Sequence, residues 1–139
     1  MSITPRQFSR LNRELREYPY TLIDEETIQF QYKKYLVNVG GFSLYPFHPP
    51  QVSINGKILS YSPPFFPLRS IEGYSEKYKC PCCTSIMCAN NWSPSLGLIA
   101  ILNEYELFIQ NLKMFQRIKV FKHVNLPDDM IGEIISFLL

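Results

Sequence analysis

The sequence predicts an α+β fold, one antiparallel sheet packed against helices, and three observations lead there. In the opening segment Phe8, Leu11 and Leu15 recur at helical spacing. Between residues 27 and 54 the pattern changes to short alternating or β-branched runs broken by turn signals. After Trp92 the helical period returns through Leu96, Ile99, Leu102 and Tyr105. With 139 residues, 46% of them hydrophobic, the chain can bury a sizeable core, so a single domain over residues 1–139 is expected.

The first helix starts at Thr4-Pro5-Arg6-Gln7, where Thr4 suits the N-cap, Pro5 the first helical position and Gln7 the far side of a capping box. A helix over residues 5–17 would turn Phe8, Leu11 and Leu15 inward and Arg6, Arg10 and Arg13 to the opposite side. Those arginines read either as a solvated face or as a basic surface for an acidic partner. Next, Ile28, Phe30 and Tyr32 alternate with polar residues, YLVNV follows, and FSL and VSI come after Gly40-Gly41 and Pro49-Pro50. This is an antiparallel β-meander of about four short strands. Residues 61–79 contain three prolines and no period, the mark of a long surface loop. A central helix then runs from Trp92 towards Val120, and Asn125-Leu126-Pro127-Asp128 restarts a C-terminal helix lined by Met130, Ile131, Ile134, Ile135 and Leu138.

A formal charge of +2 is too small to make nucleic acid the partner, since phosphate binding needs a concentrated basic face. No run approaches the roughly 18 apolar residues of a membrane span, so no membrane partner is expected. The opening segment lacks the apolar core of a secretory signal, which predicts an intracellular protein, cytoplasmic or nuclear, with free thiols.

All four cysteines, Cys80, Cys82, Cys83 and Cys88, lie just ahead of the only tryptophan. They could bind zinc, pack as small apolar groups or carry a covalent intermediate. For zinc, Cys80 and Cys83 form a C-x-x-C pair that Cys88 and His48 could complete, although structural sites usually combine two separated pairs and only one is visible. Cys82 and Cys88 could instead be buried as small apolar side chains. Neighbours in an extended segment point opposite ways, so Cys82 and Cys83 cannot both face solvent from a strand.

Three stretches in order, Tyr45-Pro46-Phe47-His48-Pro49-Pro50 with Gln51-Val52, Cys83-Thr84-Ser85-Ile86-Met87, and Trp92-Ser93-Pro94-Ser95-Leu96, resemble the ubiquitin-conjugating enzyme family. The resemblance implies a UBC-like fold with a long loop beside the active site. It also implies that the Cys83 thiolate takes ubiquitin, or a similar modifier, from the activating enzyme as a thioester and passes it to lysine, with no cofactor. If the register is off by one, Cys82 takes that role. By the same resemblance, Phe47, Pro94 and Ser95 meet the ligase as a small apolar hot spot. Arg6, Arg10 and Arg13 meet the acidic side of the activating enzyme and raise its association rate.

The sequence also departs from the family. Ser60-Tyr61-Ser62 stands where the family keeps His-Pro-Asn, and the stretch from there to Cys83 is much longer than in typical members. The missing asparagine supports the reacting thioester, and an amide donor at an oxyanion contributes roughly 3 kcal/mol. Ser62, Asn90 and Asn91 are the side chains whose chemistry could replace it. The departures keep two further readings open, a non-catalytic variant that binds the modifier or another partner, and a structural component, for example of a viral particle. The ending, residues 126–139, also resembles the start of an F-box.

Overall fold

The structure is a computed structural model that describes residues 2–61 and 84–123. The capping box forms as its residues dictate: Thr4 Oγ1 accepts from the Gln7 N–H at 3.2 Å and Gln7 Oε1 accepts from the Thr4 N–H at 2.9 Å. Helix α1, Pro5–Glu14, stops short of the expected residue 17. The Leu15 N–H closes the last turn on the Leu11 carbonyl at 2.8 Å, and the chain then turns into Pro19, a residue that disfavours helix at the position before it.

The sheet has five antiparallel strands in sequential order: β1 Tyr20–Leu22, β2 Ile28–Tyr32, β3 Tyr35–Gly40, β4 Gln51–Ile54 and β5 Lys57–Ile58. The pairings Phe30 with Val37 and Val39 with Val52 set Ile28, Phe30, Tyr32, Tyr35, Val37, Val39, Val52 and Ile54 on one buried face. Five strands therefore replace the expected four. β1 has three residues with no buried-exposed alternation, so it leaves no period-two signal. β5 follows Asn55 and Gly56, both at positive φ (51° and 84°), in the two-residue hairpin loop these residues favour. The FSL segment is a 3-10 turn, Phe42–Leu44, and not a strand: Gly41 at φ 66° leads the chain out of the ladder.

Helix α2, Leu98–His123, starts two residues after Leu96, where the sequence period suggested it was already under way. Its Leu98, Ile101, Leu102, Phe108, Leu112 and Phe115 join Leu11 of α1, Leu15 just after it and the inner face of the sheet in one buried cluster. Burial of each such side chain contributes about 1.5–3 kcal/mol. Polar and aromatic contacts fix the helix's position: Tyr32 Oη donates to Asn103 Oδ1 at 2.6 Å, and Tyr105 and Phe108 meet Tyr35 and Tyr61 edge-on at 5.5 and 5.3 Å. No helix among the described residues is long and apolar enough to cross a membrane. Most of the expected long loop, from residue 62 onward, and the C-terminal helix lie outside the described residues, as does the F-box-like ending.

Candidate functional site

Gln7, Arg10 and Glu14 are spaced three and four apart, which stacks them on one side of α1, beside its apolar stripe. Gln7, already part of the capping box, donates through Nε2 to the carbonyls of Phe42 and Tyr45 at 2.5 and 3.0 Å. The Arg10 guanidinium donates to Glu14 Oε2 at 3.0 Å and to the carbonyls of Pro94 and Leu96 at 2.5 and 2.6 Å, and lies 5.4 Å from the centre of the Tyr45 ring. Glu14 in turn accepts from Tyr45 Oη at 2.6 Å and from the Leu98 N–H at 2.8 Å. A carboxylate is favoured there, because Leu98 opens α2 and the exposed N–H groups of a helix start attract negative charge. At Gly97 an added Cβ would lie 2.2 Å from Glu14 Oε1, so any larger residue there would make the Glu14 carboxylate shift from its present contacts.

Burial and neighbouring charge together set the protonation of this cluster. Burial first, then the hydrogen bond to Glu14, raise the Tyr45 phenol well above the ordinary tyrosine range. Burial works against the charged Arg10 guanidinium, but Tyr45 and Glu14 more than offset it and hold its pKa above the ordinary value.

A second link completes the site. Trp92 Nε1 donates to the Pro46 carbonyl at 2.8 Å across 46 positions of sequence, with the Trp92 and Tyr45 rings 6.4 Å apart. The YPF and WSP stretches thus form one unit braced by α1. The unit leaves Phe47 73% exposed, with Leu44, Pro94 and Ser95 also at the surface. Arg6 and Arg13 are exposed as expected of a basic face, whereas Arg10 is committed to two loop carbonyls and Glu14. Its guanidinium is thus engaged within the fold as well as lying on that side of the helix.

A third cluster anchors the chain between Cys83 and Trp92. Glu104 of α2 accepts from Ser85 Oγ at 2.5 Å and from the Ile86 N–H at 2.8 Å. Ser85, buried at 4% exposure, also accepts from the Met87 N–H on its hydroxyl and from Asn91 Nδ2 and the Cys88 N–H on its carbonyl, at 3.1, 3.0 and 3.1 Å. The Asn91 amide thus braces this turn, and Asn90 is exposed. Cys80, Cys82, Cys83 and Ser62 lie outside the described residues. Cys88 is a half-buried free thiol and His48 is exposed. Among the described residues no group of three or more His, Cys, Asp or Glu is placed to hold a metal.

No protein-family model matches the chain, and neither does any curated protein or solved structure in the comparisons made. Sequence reasoning missed Glu14, Gly97 and Glu104. The first had a signal, a carboxylate four residues after Arg10 on the same helix side. The other two depend on contacts across the fold that no local pattern carries.

Proposed function

We propose that the chain is a divergent ubiquitin-conjugating protein with a UBC-like fold, carrying ubiquitin or a similar modifier as a thioester on Cys83. In this reading the Cys83 thiolate attacks the thioester carbonyl presented by the activating enzyme. A new sulfur–carbon bond forms and the enzyme's thiolate leaves. A lysine amine then attacks the Cys83 thioester, the amide bond forms, a proton is lost and the Cys83 thiolate is released. No cofactor enters either step.

The observation that carries the reading is the joining of Tyr45-Pro46-Phe47 to Trp92-Ser93-Pro94 through the Trp92 to Pro46 bond and the Arg10 to Pro94 bond. Two stretches that resemble the family separately in sequence are adjacent in space, and an aromatic side chain stands exposed beside them where a ligase would grip. Arg6 and Arg13 are the remaining basic groups for the activating enzyme. The test is incubation with activating enzyme, ATP and ubiquitin, followed by addition of free lysine. A reductant-sensitive adduct that discharges onto lysine supports the reading, and its absence rejects it.

A second reading, a non-catalytic variant that binds the modifier, is favoured by Tyr61. This residue stands within the family's His-Pro-Asn place and is spent on the core, 8% exposed and edge-on to Phe108. Ubiquitin binding without adduct in the same assay selects it.

A further inference from the structure

Leu22 of β1 lies on the core side of the sheet, because its cross-strand partner Ile28 is fully buried and directly opposed residues of an antiparallel pair share a face. Leu22 itself is 53% exposed. Beside it lies a groove of about 600 Å³, walled by Phe8, Asn12, Leu15 and Arg16 from α1 and the turn after it, and by Tyr20 and Leu22 from β1. Tyr20 Oη donates to Asn12 Oδ1 at 2.6 Å and ties the two walls together.

The chemistry of the groove describes its occupant. β1 comes first in the five-strand order and is paired on one side only among the described residues. The Ile23 N–H donates to the Thr27 carbonyl at 2.9 Å, so by the alternation of an antiparallel ladder Thr21 is turned to β2, while Tyr20 and Leu22 direct their N–H and C=O groups away from it, to the open edge. Such an edge accepts another extended chain. The side chains add charge complementarity. Arg16 is exposed and makes no ion pair among the described residues, and the amide nitrogen of Asn12, four positions earlier, has no hydrogen-bond partner among them. Both groups are donors, and no carboxylate among those residues lines the groove.

We propose that this groove binds an extended peptide segment of a partner protein, added to β1 as a further strand, with an acidic side chain at Arg16 and Asn12 and an apolar side chain two residues away against Leu22 and Phe8. Side chains two apart return to the same face of a strand, which sets that spacing. The inference is independent of the thioester chemistry proposed for Cys83 and of the surface assigned to Arg6 and Arg13.

The probes are a capped five-residue peptide, Thr-Asp-Thr-Val-Thr, and its reversal, Thr-Val-Thr-Asp-Thr, which serves the opposite strand direction. Each is titrated into the isotope-labelled full chain and followed by amide NMR shifts. One of the two is expected to move the Tyr20 and Leu22 backbone amides and the Asn12 side-chain amide saturably, with Kd at or below about 1 mM. Replacing its aspartate by asparagine should weaken binding about threefold, the scale of an exposed ion pair. Arg16→Gln should weaken the aspartate peptide by the same factor and leave the asparagine peptide unchanged. Thr-Thr-Asp-Val-Thr, which puts the two side chains on opposite faces, should bind about tenfold more weakly, the scale of one apolar side chain left in water. No saturable shift with either probe, equal binding of the out-of-phase peptide, or undiminished binding of the aspartate peptide to Arg16→Gln overturns the inference. So do shifts of the same amides that depend on protein concentration without peptide, which give the groove to a second copy of the chain.

Discussion

Glu14, the last residue of α1, accepts a hydrogen bond from the Leu98 N–H at 2.8 Å, so the end of one helix caps the start of another 84 residues along the chain. The same carboxylate holds Tyr45 and Arg10, and through them both loops of the proposed ligase surface. Because Gly97 makes room for it, Gly97→Ala is expected to push the carboxylate away and destabilise the fold by about 1–3 kcal/mol, the scale of a buried polar group losing its partners. Urea denaturation measures this. A change under about 0.5 kcal/mol would mean that Glu14 caps α2 without contributing to stability.

The three arginines of α1 are expected to separate by role. Arg10→Ala strips the Pro94 and Leu96 carbonyls and Glu14 of their donor and should destabilise by about 2–3 kcal/mol. Arg6→Ala and Arg13→Ala, at exposed positions, should stay within about 0.5 kcal/mol. In the loading assay, Arg6→Glu and Arg13→Glu should slow transfer from the activating enzyme and flatten its dependence on salt. Equal stability losses at all three positions would refute the division.

What was legible in the sequence follows from how far each signal reaches. The capping box and the inward set Ile28, Phe30 and Tyr32 depend on neighbours within a few residues, and the structure has both. β1 was invisible because a half-buried Tyr20 followed by exposed Thr21 and Leu22 does not alternate. The period turned Arg6 and Arg13 to the exposed side, but Arg10 is only partly exposed there, because the Pro94–Leu96 loop returns to meet it from more than 80 positions away. Glu104 was passed over for the same reason, since its partners come from another segment.

Phe47 is 73% exposed and contributes little to the core. Phe47→Ala is therefore expected to change stability by less than about 0.5 kcal/mol while weakening ligase-stimulated discharge roughly tenfold or more, the scale of an aromatic anchor. Unchanged discharge with a responsive ligase would remove Phe47 from the partner surface.

Alkaline pH should expose the Tyr45–Glu14 contact. The unfolded chain ionises its tyrosines near the ordinary value of 10.0, while in the folded protein Tyr45 stays protonated to higher pH. Across that window the native state holds more protons, so stability falls as pH rises, and below 10.0 the contribution is fully present. Denaturation midpoints at neutral pH and above pH 10.0 should diverge less in Tyr45→Phe than in wild type. An identical decline in both proteins would show that Tyr45 does not carry the effect.

The most direct test is to locate the adduct by comparing wild type with single alanine substitutions of Cys80, Cys82, Cys83 and Cys88 in the presence of activating enzyme, ATP and ubiquitin. The account predicts a reductant-sensitive adduct in wild type that only Cys83→Ala abolishes. An adduct of undiminished yield in Cys83→Ala, or none in wild type, would contradict it.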